Sequence, residues 1–189
     1  MGRRLPLGGL ATERNMLLEL EDLTVRTLTM RDADLLVEAT RAESGKALWG
    51  PRPDGPYGLD DALAALRAWD PELGGQTSFG ILAGPRLVGA LGLMPDEPGS
   101  AELAYWVRPE DRGRGIAGRA VRAITEWALG DLNRVWLEIG PANLASLRVA
   151  ERGGFTFEQR IANHCRQWVN DDPERDLWRD CLIWARAAP

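Results

Sequence analysis

The pattern of apolar and polar residues along the chain predicts one α/β domain, of mixed α+β type. Strand patterns, in which apolar residues alternate with polar ones or form short runs, lie at 17–28, 79–82, 87–91, 103–107, 135–139, 155–160, 164–169 and 178–184. Helical spacing and capping residues predict helices at 29–43, 60–71, 116–130 and 144–152. The order is a helical opening, an antiparallel meander and a strand-helix-strand-helix-strand end.

Length and composition set the class of protein. The chain has 189 residues, of which 44% are hydrophobic and 27% charged, as in soluble globular domains and unlike disordered or collagen-like chains. Residues 1–15 lack periodicity and predict a loose N-terminal arm, which leaves a single domain over 16–189. No apolar run approaches the ~20 residues of a membrane span. The net charge of -5 argues against nucleic acid as a partner.

Cysteine and histidine content excludes other classes of site. Two cysteines, Cys165 and Cys181, are too few for a secreted disulfide framework, so the reduced cytoplasm is the expected location. The chain has one histidine, His164, and with two separated cysteines it does not complete a zinc shell. The sequence therefore predicts no metal site.

A glycine-rich turn between a strand and a helix, at 107–119, is the strongest chemical signal. The first amides of a helix have no internal acceptor and carry partial positive charge, so such a turn can hold a pyrophosphate. Glycines at 113, 115 and 118 keep side chains away from these amides. Arginines at 108, 112, 114, 119 and 122 predict a local positive patch. The alternative is an ordinary helix start with salt bridges such as Arg122 to Glu126.

Three motifs in order resemble those of the GNAT superfamily of N-acetyltransferases. Arg112-x-x-Gly115-x-Ala117 resembles the acyl-CoA pyrophosphate signature of that superfamily, Gln/Arg-x-x-Gly-x-Gly/Ala. The strand at 102–107 precedes the signature, and Asn143-x-x-Ser146 with Gly154-Phe155 follows it. The combination is most similar to the RimJ/RimL-like branch, which acetylates protein N-termini. The resemblance extends over about 23–185 and is strongest over 101–160.

The resemblance implies a largely antiparallel sheet that splays open around acetyl-CoA, the acyl donor. The residues implied in donor binding are Val107, Arg112, Gly113, Arg114, Gly115, Ile116, Ala117, Gly118, Arg119 and Asn143. Ser146 is implied to face the thioester sulfur and to act as the acid. Both Asn143 and Ser146 also have a simpler interpretation as the cap and first turn of a helix. One departure concerns Ala150, which stands where many members of the superfamily carry a tyrosine acid.

The general base and the acceptor site are less directly indicated. Glu102, on the strand that leads to the signature, is the best candidate for the base, unless it only pairs with an arginine; Glu138, Glu158 and His164 are weaker candidates. Residues 44–58 form a loop rich in glycine and proline, and Trp49 and Tyr57 within it are candidates for acceptor binding. The alternative is that these two aromatic side chains only pin the loop to the core.

The predicted function is transfer of an acetyl group from acetyl-CoA to a primary amine, either a protein N-terminus or a small molecule. Neither cysteine lies in the motif region, which favours direct attack in a ternary complex. Two alternatives remain open: another donor such as succinyl-CoA, or an inactive acyl-CoA-binding regulatory module, as the departure at Ala150 would allow. The eight tryptophans are compatible with a homodimer, and neither nucleic acid nor a membrane is an expected partner.

Overall fold

A computed structural model describes residues 16–41, 56–70, 76–167 and 176–189. Predictions that concern residues 1–15 and Trp49 lie outside these described residues. Within them, eight strands form one sheet: β1 (Leu17–Leu20), β2 (Leu23–Thr27), β3 (Thr77–Ala83), β4 (Arg86–Glu97), β5 (Ser100–Val107), β6 (Arg134–Ile139), β7 (Thr156–Gln167) and β8 (Leu177–Ala187). The helices are α1 (Ala33–Thr40), α2 (Leu59–Ala68), α3 (Ile116–Ala128) and α4 (Leu144–Arg152).

The sheet has the order β1-β2-β3-β4-β5-β6-β8-β7. Its neighbouring strands are antiparallel except β5 and β6, which run parallel and pair only through 100–102 and 134–136. Beyond Glu102 and Trp136 the register between these two strands ends. The mixed sheet that opens along its length, which the resemblance implied, is therefore confirmed.

Two layers of helices cover the two faces of the sheet. The α3 side holds the larger core, in which fully buried Val121 and Ile124 pack with Leu103 of β5 and Leu137 of β6. The other side holds α1 and α2, whose Leu36 and Leu66 cluster with Trp106 of β5. Since side chains alternate along a strand, β5 contributes to both layers. No helix among these residues is both long and apolar enough to cross a membrane.

Local sequence signals account for the helix starts. Thr29 and Asp32 form the expected capping box, although it opens a short 3-10 turn that leads into α1. Helix α2 is preceded by Gly58, whose N–H donates to Asp61, rather than by a cap at Asp60. Asn143 caps α4 as the sequence predicts, because its Oδ1 accepts the N–H of Ser146 at 3.1 Å.

Two strand predictions and the treatment of the cysteines as separate need correction. The apolar stretch at 17–28 is two strands, because a turn with Glu21 at φ 51° reverses the chain. The two strands predicted at 155–160 and 164–169 are one strand, β7, in which a bulge between Ile161 and Cys165 shifts the register. The two cysteines are also not independent, since a disulfide joins Cys165 on β7 to Cys181 on β8.

Candidate active site

The separation of β5 from β6 creates the opening where the predicted site residues gather. Arg108 donates its N–H to Val88 of β4 at 2.9 Å, which fixes the hydrogen-bonding direction at the end of β5. Because backbone groups alternate along a strand, the N–H and C=O of Val107 point away from β4 and into the opening. The guanidinium of Arg112 donates to that carbonyl at 2.9 Å. Val107 thus presents its N–H to the opening.

The turn after β5 exposes the N-terminus of α3. Gly113 and Gly115 have φ of 76° and 75°, in the left-handed region that favours glycine, and Gly115 is the N-cap of α3. A Cβ built on Gly113, Gly115 or Gly118 meets no atom within 4 Å. The amides at the start of this helix therefore border open space, which is the condition for holding a pyrophosphate.

The arginines of this turn do not form the positive patch that the sequence predicted. Four of them are paired with carboxylates: Arg108 with Glu110 (2.6 Å), Arg114 with Asp111 (3.1 Å), Arg122 with Glu126 (2.9 Å), and Arg119 with Asp22. Buried Asp111 also pairs with Arg86 at 2.7 Å and so anchors the turn to β4. The positive potential that remains comes mainly from the helix dipole and the backbone amides.

One cavity of about 960 Å³ runs from this turn to α4. Its lining includes Val107, Arg112, Gly113, Gly115, Ile116, Ala117, Gly118, Arg119, Asn143 and Ser146. It thus brings together the residues predicted for donor binding, apart from Arg114, with the predicted acid. The lining also includes residues that the sequence did not single out: Tyr105, Ala145, Arg148, Val149 and Arg152.

Helix α4 positions Ser146 within this cavity. The Asn143 cap fixes the first turn by accepting the Ser146 N–H, and the hydroxyl of Ser146 is left for other partners. Ala150, one turn further along the helix, is fully buried. A larger side chain at that position would have to displace core atoms, so the departure from the tyrosine pattern has a packing reason here.

Tyr105 supplies a phenol to the same cavity from a different element. Its hydroxyl is buried and makes no hydrogen bond of regular geometry with a described residue. Burial raises the pKa of Tyr105, and interaction with the Ser146 hydroxyl opposes part of that rise. The phenol therefore stays protonated beside Ser146. A tyrosine on a strand cannot be connected to a serine on a distant helix from sequence spacing alone.

Glu102 lies at the last position where β5 pairs with β6, and beyond it these two strands separate. Burial, followed by repulsion from Glu138 and Asp96, raises the pKa of Glu102 to about 7. The carboxyl is consequently poised to exchange a proton near neutral pH, as a general base requires. The sequence alternative for Glu102, a carboxylate held in an ion pair, does not fit this raised pKa, because a neighbouring arginine would lower it.

The other predicted candidates have different surroundings. Glu158 pairs with Arg134 at 2.6 Å and acts in cross-strand pairing. His164 approaches Glu138 at 3.4 Å, on the far strands of the sheet. Tyr57 is half-buried against the α1–α2 layer, and its N–H donates to the Thr40 hydroxyl at 3.1 Å. Tyr57 is thus tied to the layer that covers the Glu102 face of β5.

Comparison with known proteins agrees with this arrangement. Residues 22–156 match the family model described as Acetyltransferase (GNAT) domain. The chain is 34% identical over 87 residues to Probable N-acetyltransferase YjcK of Bacillus subtilis (strain 168), a match that covers 42% of this chain and 48% of that protein. The match thus spans about half the length of that curated relative.

Solved structures share the fold at low sequence identity. RimL, a ribosomal L7/L12 alpha-N-protein acetyltransferase in complex with coenzyme A, has a TM-score of 0.76 at 20% identity, over 91% of this chain and 98% of that one. The ribosomal-protein-S5-alanine acetyltransferase of Vibrio fischeri has a TM-score of 0.75 at 19% identity, over 92% and 97%. Since the family model extends over most of the sequence, the chain belongs to the GNAT family of acetyltransferases.

Proposed function

We propose that the protein transfers an acetyl group from acetyl-CoA to a primary amine by direct attack within a ternary complex. The observation that carries the proposal is Glu102, a half-buried carboxyl with a pKa of about 7 at the point where β5 and β6 separate. A carboxyl that titrates near neutral pH can accept the proton that an attacking ammonium must lose.

Donor binding is proposed for the cavity between α3 and α4. The amides of the 112–117 turn would hold the pyrophosphate, as a helix N-terminus holds anions. The Val107 N–H, which points into the opening, would donate to the pantetheine arm. Arg148 and Arg152, both exposed on α4 and lining the cavity, would contribute positive charge for the remaining phosphate of the donor.

The proposed chemistry divides between the two faces of β5. Glu102 takes the proton of the amine, directly or through water, and the amine nitrogen then attacks the thioester carbonyl carbon. The C–S bond breaks, the C–N bond of the amide forms, and the departing sulfur receives a proton from Ser146. The second proton that the nitrogen loses as it becomes an amide returns to Ser146 through water. Tyr105, kept protonated by burial, would donate a hydrogen bond to Ser146 once the donor is bound and so orient the serine proton toward the sulfur.

The acceptor is proposed to be a cationic amine that enters from the Glu102 side. Glu102, Glu138 and Asp96 concentrate negative charge there, as their mutual repulsion indicates. The names of these two structural neighbours refer to ribosomal proteins, and one of them describes an alpha-N-protein acetyltransferase, which favours a protein N-terminus over a small amine. Tyr57 and Trp49 remain predictions for contacts with the acceptor side chain, and a homodimer and a cytoplasmic location remain predictions as well.

The test is release of free CoA in the presence of acetyl-CoA and three classes of acceptor. These are peptides with a free N-terminus, the same peptides with a blocked N-terminus, and aliphatic polyamines. We expect release with the free peptides, and mass spectrometry should place the acetyl group on the α-amine. Release with polyamines alone would transfer the proposal to small amines, whereas CoA binding without release would favour the regulatory module. A parallel reaction with succinyl-CoA tests the donor.

A further inference from the structure

We propose that Cys165, Cys181, Glu138 and His164 form a binding site for a zinc-class divalent cation when the two cysteines are reduced. The cluster lies on β6, β7 and β8, outside the proposed donor cavity. Sequence spacing hides it, because Glu138, the His164-Cys165 pair and Cys181 are separated along the chain and meet only through strand pairing. The site goes beyond the proposed acetyl transfer and does not depend on it.

Strand pairing brings Glu138 and the two cysteines together, with His164 beside Glu138. Glu138 of β6 faces the β7–β8 pair, and its Oε1 lies 3.2 Å from Sγ of Cys165 and 3.3 Å from Sγ of Cys181. The ligand atoms of these three residues all lie within 4.8 Å of one another. The Nε2 atom of His164 lies 3.4 Å from the other carboxylate oxygen of Glu138. Two sulfurs, a carboxylate and an imidazole form a donor set that suits zinc.

A bulge in β7 makes this grouping possible. Neighbouring residues of a regular strand point to opposite faces, so His164 and Cys165 would otherwise diverge. The register shifts between Ile161 and Cys165, and Asn163 adopts φ of 50°. The N–H of Asn163 donates to Asp180 at 3.1 Å, which fixes the bulge against β8. A bulge that re-aims side chains is a recurrent feature of functional sites.

The contact between Glu138 and the sulfurs fits the reduced form better than the disulfide. A disulfide sulfur carries no hydrogen, so it cannot donate to the carboxylate oxygen beside it. Two thiols could both donate to Oε1 of Glu138, and a cation could bridge all three groups. Cys181 is completely buried, so the carboxylate contact there is shielded from water. A bound cation would neutralise the two thiolates and the carboxylate together.

The distances suit tetrahedral coordination. Bonds of about 2.0–2.3 Å from zinc to oxygen, nitrogen and sulfur give ligand-to-ligand separations of about 3.3–3.8 Å. The observed separations from Oε1 of Glu138 to the two sulfurs are 3.2 and 3.3 Å. The sulfurs must move apart, which cleavage of their bond permits, and the imidazole of His164, which lies 3.4 Å from Oε2, must turn toward Oε1. The His164 side chain is 51% exposed, so its ring can adjust without disturbing the core.

The disulfide form becomes the cation-bound form in two steps, reduction and metal binding. A dithiol reductant supplies two electrons and two protons, which cleave the S–S bond to two thiols while the reductant closes to a cyclic disulfide. The cation then displaces one proton from each thiol and forms two metal–sulfur bonds. The oxidised protein has no thiolate to offer. The site is thus open to the cation only under reducing conditions.

The experiment uses the full chain with Zn²⁺ and Co²⁺ as probes. Protein reduced by a phosphine competes with a chromophoric chelator for Zn²⁺, and Co²⁺ reports thiolate coordination through its charge-transfer absorption. We expect the reduced protein to bind one equivalent of Zn²⁺ or Co²⁺ and the oxidised protein not to bind it at this site. Cys165→Ser should remove the charge-transfer absorption. Glu138→Gln and His164→Ala should each weaken Zn²⁺ binding at least about tenfold, since even outer-shell partners contribute that much.

Glu158→Gln is the matched control, because Glu158 lies on β7 but pairs with Arg134. It should bind Zn²⁺ like the wild type. The exposed His164 keeps the test decisive if a cysteine variant folds poorly, since its substitution leaves the core intact. Absence of Zn²⁺ binding by the reduced wild type would overturn the proposal. So would binding that His164→Ala and Cys165→Ser leave unchanged. None of these readouts requires acetyl transfer, so each stands whether or not the proposed function holds.

Discussion

Glu102 and Tyr105 lie three positions apart on β5 and therefore project from opposite faces of the sheet. Glu102 lies on the same face of the sheet as Trp106, the face covered by α1 and α2 and proposed for the acceptor, whereas Tyr105 packs on the α3 side and lines the donor cavity with Ser146. One strand thus carries the proposed base on one side and the partner of the proposed acid on the other. Proton removal from the amine and proton delivery to the sulfur are therefore proposed to occur on opposite faces of the sheet.

Gly118 provides a test of donor binding that separates affinity from folding. Gly118→Leu should stabilise α3 by about 1 kcal/mol, because leucine has the higher helix propensity. The same side chain would enter the open space beside the first amides of the helix. We therefore expect calorimetry to show CoA binding weakened at least about tenfold, or about 1.4 kcal/mol. Gly118→Ala, which adds only a methyl group, is the control and should retain binding. A leucine variant that binds CoA normally would move the pyrophosphate elsewhere.

The pH dependence of the rate should follow the ionisation of Glu102. The base must be ionised to accept a proton, so kcat/KM should rise with pH and level off above about 7. Glu102→Gln should lower kcat/KM about 100-fold and abolish this inflection. Glu151→Gln, on the exposed side of α4, is the matched control. An inflection near 7 that persists in the glutamine variant would assign the titration to another group.

The ionisation of Glu102 that should raise the rate as the pH increases should also lower the stability of the folded protein. The pKa of Glu102 is raised in the folded state from an ordinary value of 4.5 to about 7, so the folded protein holds the proton more tightly than the unfolded chain. This contribution is complete below about 4.5 and is lost as the pH rises through 7. Relative to Glu102→Gln, the wild type should lose up to about 3 kcal/mol over that range. Denaturant unfolding at pH 5 and pH 8 gives the free energy of unfolding of the wild type and of Glu102→Gln. If the difference between the two proteins were the same at both pH values, the raised pKa of Glu102 would be contradicted.

Local signals in the sequence predicted the parts of the site that depend on short stretches of chain. Asn143 and the helix after it follow from a capping residue and helical spacing, and the structure contains both. The Gly113–Gly115 turn follows from glycines at positions that need positive φ. Such features are set by neighbours within a few residues, so their physical causes are visible in the sequence.

Features that depend on distant residues could not be predicted in the same way. Arg119 pairs with Asp22, 97 residues away, so the positive patch inferred from clustered arginines is largely neutralised. The meeting of Tyr105 with Ser146 and the cluster around Glu138 both require the sheet register. A one-residue change in the register would reverse which side chains face each other, and sequence periodicity alone does not fix it.

Tyr105 and Ser146 should act as a coupled pair. Ser146→Ala should lower kcat about 100-fold with little change in KM for acetyl-CoA, because its hydrogen bond strengthens as charge develops on sulfur. Tyr105→Phe should lower kcat about tenfold, equivalent to about 1.4 kcal/mol, the range of one hydrogen bond. In the Ser146→Ala background, Tyr105→Phe should have no further effect, since the hydroxyl that it orients is gone. Steady-state kinetics of the four proteins gives the coupling.

Stability distinguishes this positioning role from a structural one. The buried hydroxyl of Tyr105 lacks a regular hydrogen bond with any residue that the structure describes, so its removal should raise the free energy of unfolding by about 1 kcal/mol. Tyr105→Phe should therefore be more stable and less active, as expected where an active site retains a polar group at the expense of stability. Leu144→Ala, at an exposed position outside the cavity lining, is the control for helix α4. Additive losses in kcat for Tyr105→Phe and Ser146→Ala would show that the two hydroxyls act independently.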